Sequence, residues 1–321
     1  MTLNELKQNL TLPVIGAPMF LVSGIDLVVA QCCNGIVGAF PALNARTASE
    51  LDNWISQIKS RIAAFESETG KKAAPYAVNL VVHGSNTRLD EDLSIVVRHQ
   101  VPLVITSLSA PDKVVADVHS YEGLVFHDVI AVRHAKKAAA AGVDGLVLVC
   151  TGAGGHGGQL NPFALIAEVK QFYDGAIILS GAIANGYSIL AASALGADFS
   201  YIGTAFLACE ESNATVGHKE MVVDCTASEI LSTPYFSGTH SSYMIPSIIA
   251  AGVDPNEAVI AQPRKDDFIV GKERPKAWKG VWSAGQGVGQ ISSVMPVADL
   301  IRRLKSEYDA AKQSLLQGNS E

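Results

Sequence analysis

The sequence predicts an α/β fold, a (β/α)8 TIM barrel with an inserted cap segment before the C-terminal helix, on three observations. Eight short apolar runs alternate with helical patterns along residues 13–209, the order expected of a parallel sheet with helical crossovers. The runs are β-branched and nearly unbroken, as in residues 143–150 (VDGLVLVC), which is how strands buried on both faces look. The first run leads into Gly16-Ala17-Pro18-Met19, where an open dinucleotide-binding sheet would need G-x-G-x-x-G.

The elements follow in order. Residues 13–17 form the first strand and residues 25–33 an apolar helix. Residues 36–39 are the second strand; the long helix over 47–66 opens with Thr47 as cap and Glu50 completing a capping box. The third strand is 76–82 with its helix at 90–99, and the fourth is 103–106 with Pro111 opening the next helix. The fifth strand, 124–126, precedes an alanine-rich helix over 130–141 that ends at Gly142. The sixth strand is followed by a glycine loop, then by Asn161 as N-cap and Pro162 at the first helical position of a helix reaching 172. Strands at 176–179 and 199–202 complete the set, separated by a helix over 185–195.

From residue 210 to 279 the alternation breaks, with prolines at 234, 246, 255, 263 and 275. This stretch is expected to be a cap or substrate segment (210–279), with helix near 221–231 and 247–251, set into a barrel built from 1–209 and 280–321. Pro296 opens a final amphipathic helix running to about residue 316.

Composition narrows the function. Lys plus Arg number 24 against 31 Asp plus Glu, a net charge of −7 with no basic run, which gives nucleic acid no surface to bind. The five cysteines lack C-x-x-C or metal-ligand spacing, so reduced thiols in a cytoplasmic protein and no metal site are expected. The polar first twelve residues lack a secretory signal, and no run reaches the ~18 apolar residues of a membrane span. A small-molecule substrate is the expected partner, and the outer helix faces leave room for a homo-oligomer.

The chemistry concentrates at strand ends. Residues 151–158 carry five glycines and one imidazole, His156, in the loop after the sixth strand, where such folds place their sites. The loops after strands seven and eight, with Ser180-Gly181 and Gly203-Thr204, sit where barrels commonly bind phosphate; no P-loop signature is present. A glycine-rich turn with a solvent-facing histidine is the bland alternative, and the functional one is preferred because loops at this end carry chemistry.

PVIGAPM, GAGGHGG, LSGAIANG, YIGTAF and WSAGQGVG together resemble the nitronate monooxygenase family, formerly called 2-nitropropane dioxygenases, in order over residues 14–289. The resemblance implies an FMN-dependent barrel that oxidises alkyl nitronates with O2 to a carbonyl compound and nitrite. It implies Ala17, Pro18 and Met19 against the flavin ring, Asn79 at the end of the third strand hydrogen-bonded to it, and Gly154 and Gly155 beside it. Ser180, Gly181, Gly203 and Thr204 would serve the phosphate end, Gln286 and Gly287 would border the flavin, and His156 would be the catalytic base. Two departures stand out. Thr151-Gly152-Ala153 replaces the glutamate-alanine pair often found before GGH, and the fifth strand ends in His127-Asp128 where many flavin barrels have a lysine or arginine. The flavin N1 partner is therefore open, with His127 one candidate. His127, His240 and Tyr243 are candidates to face substrate, and Trp278 and Trp282 to wall the site. An NAD(P)H-dependent flavin enoyl or quinone reductase is the alternative on the same barrel; a flavin-free lyase or phosphate-ligand binding protein is a further one.

Overall fold

The computed structural model describes residues 1–260, 277 and 279–317. Thr2 and Glu5 close a capping box on α1 (Leu3–Gln8), a helix too short to show periodicity in sequence. Then come β1 (Val14–Gly16), α2 (Ile25–Cys33), β2 (Gly38–Pro41), α3 (Ala48–Thr69), β3 (Tyr76–Val82), α4 (Leu89–His99), β4 (Leu103–Leu108), α5 (Asp112–His119), β5 (Leu124–Val129), α6 (Val132–Ala140) and β6 (Gly145–Val149). A two-residue strand β7 (Gly155–His156) precedes α7 (Pro162–Val169), β8 (Ala176–Ser180), α8 (Gly186–Ala194), β9 (Phe199–Ile202) and α9 (Thr204–Leu207). The remaining elements are α10 (Val216–Asp224), β10 (Ile230–Thr233), β11 (Ser241–Met244), α11 (Ile245–Ala250), α12 (Pro255–Val259) and α13 (Val297–Gln317).

Eight parallel strands pair in the order β1, β9, β8, β6, β5, β4, β3, β2. The ring closes where Gly16 N–H donates to Val37 O (2.8 Å) and Val37 N–H to Val14 O (3.2 Å). Strand alternation splits the apolar residues into two layers. Ile15, Ala77, Ile105, Phe126, Val147, Ile178 and Phe199 fill the interior, whereas Val14, Val78, Val104, Val125, Leu146, Ile177 and Ile202 face the helices. Leu6 of α1 is fully buried in the interior cluster, so α1 plugs the N-terminal end of the barrel.

Local signals account for most boundaries. Asn161 accepts from Phe163 N–H, and Asn185 closes a capping box with Ser188. At α3 the box is half made: Thr47 accepts from Glu50 N–H, but the Glu50 carboxylate turns to Arg46 N–H instead of back to the cap. Pro111 stands one place earlier than expected, as the N-cap of α5. The helix expected over 221–231 stops at Asp224, because Cys225 turns extended and Thr226 starts a fresh 3-10 turn that feeds β10. Residues 210–260 dock on the C-terminal face of the barrel through an antiparallel sheet in which β11 pairs with β10 on one side and β7 on the other. Part of the segment 210–279, with Pro263 and Pro275, lies outside the described residues, as does Trp278. Among the described residues no helix is long and apolar enough to cross a membrane.

If α1 is a structural plug, Leu6→Ala should lower unfolding free energy by about 2–5 kcal/mol, the usual cost of emptying a leucine site in a core. Urea unfolding followed by circular dichroism measures it; a loss under about 0.5 kcal/mol would mean that α1 is not docked in solution.

Candidate functional site

The alternation that packs the barrel also builds the floor of its mouth. Above the apolar interior, the polar or small inward positions include Ala17, Asn79, Ser107, Asp128, Ser180 and Tyr201, by register with Ile15, Ala77, Ile105, Phe126, Ile178 and Phe199 two residues earlier. Asn79 lies within β3, three residues before its end, not at the strand terminus as expected. Its Nδ2 donates to Ile105 O (3.1 Å) and to Ser107 Oγ (2.9 Å), and Ser107 Oγ donates to Asp128 Oδ2 (2.8 Å). Asp128 Oδ1 and Tyr201 OH are shut off from solvent and have no hydrogen-bond partner among the described residues. Burial pushes the Asp128 carboxyl up to about 7, with the Ser107 bond pulling the other way. Burial also raises the Tyr201 phenol well above its ordinary value, and the Asp128 charge adds to this.

His156 projects from β7, a strand whose shape comes from its partner. Register places His156 opposite Ser241 and Gly155 opposite Ser242. Gly155 N–H donates to Ser283 Oγ (2.8 Å), and that hydroxyl donates to Ser242 O (2.6 Å). The imidazole Nε2 lies 3.1 Å from Ser237 Oγ, which is also 2.9 Å from Thr239 O. Which of the two atoms donates follows the imidazole tautomer, and in either case the bond fixes the ring's orientation. The ring keeps solvent-reachable surface yet is surrounded by protein, which is the situation of a group lining a concave mouth, and desolvation holds its pKa down to about 4. It is neutral at pH 7.

Five loops converge beside it. Gly203 meets Ala17 Cβ and Met19 Sδ at 3.5 Å from where a Cβ would be, so the loops after β1 and β9 touch, with Pro18 between the two β1 residues. Thr204 Oγ1 accepts from Gly285 N–H (2.9 Å) and retains its own proton to donate. Gln286 N–H donates to Gly152 O (2.9 Å), and Gly287 lies against Ala182 and Ala184. Two glycines are obligatory on steric grounds. A Cβ on Gly154 would sit 2.9 Å from Gly285 N, and Gly181 combines φ +137° with a Cβ position 2.6 Å from Thr151 O. Ser180 ends β8 facing inward beside Gly181.

Three expected substrate contacts fare differently. His127 lies on the helix side of β5, between outward-facing Val125 and Val129; it is buried, bonded to Thr106 Oγ1 (2.8 Å), and held by desolvation at about 4. It does not reach the floor, where its neighbour Asp128 points instead. Tyr243 is fully buried in the cap, edge-on to Phe236, with its hydroxyl toward Ser237 and Ser241. It supports the residue that holds His156. His240 is at the rim, its Nδ1 2.9 Å from Gln159 Nε2. Trp282 stacks on His218 at 5.2 Å below the late loop. Sequence reasoning missed Ser107, Asp128, Tyr201, Ser237 and Ser283; the run SGTHSS at 237–242, dense in hydroxyls, was the one available signal for the cap residues.

These residues fit a flavin. The floor offers partnerless polar atoms, Ala17 and Met19 supply an apolar edge, and the loops bring backbone close without side chains between.

The nitronate monooxygenase family model matches residues 6–307. A nitronate monooxygenase of Paraburkholderia phytofirmans is 31% identical over 201 residues, 58% of this chain and 55% of that protein, so the chain spans about half the length of this curated relative. Among solved structures, a nitroalkane oxidase of Streptomyces ansochromogenes superimposes with TM-score 0.77 at 24% identity, covering 97% of this chain and 99% of that one. FabK of Thermotoga maritima gives TM-score 0.77 at 20% identity, covering 98% and 97%. The structural likenesses establish the TIM-barrel fold, and with the family match over almost its whole length the chain belongs to the nitronate monooxygenase family.

Proposed function

We propose that this chain is an FMN-dependent enzyme that oxidises alkyl nitronates with O2 to a carbonyl compound and nitrite. The observation that carries the proposal is a neutral imidazole, His156, held by Ser237 at the mouth of a barrel where five glycine-bearing loops converge. Family membership supports the flavin; the N–H groups and hydroxyl of the β8 and β9 loops support its being a phosphorylated one.

In this reading Gly181, Gly203 and Thr204 hold the phosphate, and Ala17, Pro18, Met19, Gly154 and Gly155 line the ring. Asn79, Ser180, Gln286 and Gly287 complete its surround. Bound flavin supplies the electron chemistry and the reaction with O2, and the protein binds, orients and moves protons. The neutral His156 imidazole accepts the α-proton of a neutral nitroalkane; a base with pKa near 4 is unprotonated at pH 7. The imidazolium so formed then neutralises the nitronate it has just made. The hydrogen bond to Ser237 keeps the ring from rotating away during this exchange.

His156→Ala should retain bound flavin, lose on the order of 10²–10⁴-fold in kcat/KM on neutral nitroalkane, and lose far less on preformed nitronate. Nitrite release measures both; equal losses would remove the base role. The activity itself fails as a proposal if wild-type protein releases no nitrite from any nitronate in air while NADH or NADPH reduces its flavin rapidly, the outcome a reductase would give.

The depressed pKa also sets a pH profile. Since kcat/KM reports the free enzyme, its acid limb on neutral nitroalkane should fall near pH 4, with a plateau from about pH 5.5 up to the substrate's own ionisation. A limb at the ordinary histidine value of 6.5 would show that His156 is solvated like a surface residue.

A further inference from the structure

The acid on the floor of the mouth, Asp128, has no part in the proton transfer proposed for His156. We propose that Asp128, set by Ser107 and Asn79, is the hydrogen-bond donor this barrel offers to the polar pyrimidine edge of its flavin, through a proton on Oδ1. The proposal rests on the flavin reading above and adds to it the group that meets the cofactor from below.

The direction of the hydrogen bonds supports it. Asn79 Nδ2 donates to Ser107 Oγ at 2.9 Å, which leaves the Ser107 proton to go to Asp128 Oδ2 at 2.8 Å. Oδ2 is thus an acceptor, and a proton on the carboxyl belongs on Oδ1, the oxygen without a partner among the described residues. A buried donor left without an acceptor costs about 1–3 kcal/mol, and a ligand acceptor removes that cost. Among the described residues, the inward positions at the top of the barrel strands carry no lysine or arginine: they are Ala17, Pro41, Asn79, Ser107, Asp128, Val149, Ser180 and Tyr201. A carboxylate here would therefore have no strand-borne cation to balance it. The neutral acid avoids that and still donates, as the raised pKa of about 7 allows over the lower half of the physiological range.

Other titratable groups among the described residues also lie near the mouth. Tyr201, across the barrel on β9, titrates far above neutrality, and His156 on β7 is held at about 4. His83, in the loop after β3, and His240 stand at the rim; His127 adjoins Asp128 in sequence but faces the helices, at about 4. Sign follows directly. Below its pKa Asp128 donates; above it the proton is gone, so flavin affinity falls as pH rises through about 7.

The test follows the visible spectrum and Kd of added FMN from pH 5 to 9, repeated with riboflavin, which lacks the phosphate and its ionisation. Wild-type protein should lose on the order of tenfold in FMN affinity as pH rises above about 7, and the bound flavin should show a spectral transition about one pH unit higher, because a tenfold preference for the protonated form raises the bound-state pKa by that much. Asp128→Asn, a neutral donor of the same shape, should bind FMN with no transition. Ser107→Ala, which removes the bond that lowers the pKa, should move the midpoint upward by about half a pH unit or more. The proposal is overturned if wild type binds flavin with a flat pH profile, if the transition survives in Asp128→Asn, or if it disappears with His83→Gln or His240→Gln. Failure to bind any flavin would overturn the flavin reading along with this one.

Discussion

Everything at the mouth of this barrel depends on the antiparallel pairing of β7 with β11. A loop of glycines has no side chains with which to hold a shape, and its conformational entropy is high. Pairing Gly155 with Ser242 and His156 with Ser241, and anchoring Gly155 N–H on Ser283, converts two residues of that loop into a strand. The same cap element brings Ser237 to the imidazole. The cap thus shapes the proposed site through backbone geometry, and Tyr243, expected from the sequence to face substrate, instead packs inside the cap against Phe236.

Much of the barrel was legible in the sequence because its signals are local. Apolar runs with helical spacing between them, Asn161-Pro162 and Asn185 at helix starts, and Gly142 at φ +82° after α6 each need only neighbours in sequence to be recognised. The sheet of β7, β10 and β11 was not legible. Its strands are two to four residues long and rich in serine, and the pairing that gives β7 its shape joins positions about eighty residues apart. The capping box at Thr47 was half right for a related reason: Arg46 N–H competed for Glu50, and sequence alone does not rank two adjacent donors.

His127 and Asp128 show where sequence reasoning stops at the site itself. Alternation dictates that one faces the helices and the other the mouth, but both faces of β5 are apolar elsewhere, with Val125 and Val129 outward and Leu124 and Phe126 inward. The phase of the strand was therefore unreadable, and the histidine, the more familiar catalytic residue, drew the assignment although it is the aspartate that points to the mouth. Burial on opposite faces then acts on the two groups oppositely in charge but alike in result: both are held toward their neutral forms near pH 7. At the mouth itself, Asp128 and His156 are the two groups held toward neutrality, which suits an aromatic cofactor and a small polar substrate.

Whether this mouth holds FMN beside the His156 imidazole is decided by titrating flavin-free protein into FMN and following the quenching of its fluorescence. Saturable binding at one flavin per chain is expected, with a shifted bound-flavin spectrum in His156→Ala at near-unchanged affinity. Absence of saturable quenching, or a bound-flavin spectrum indifferent to His156, would rule that arrangement out.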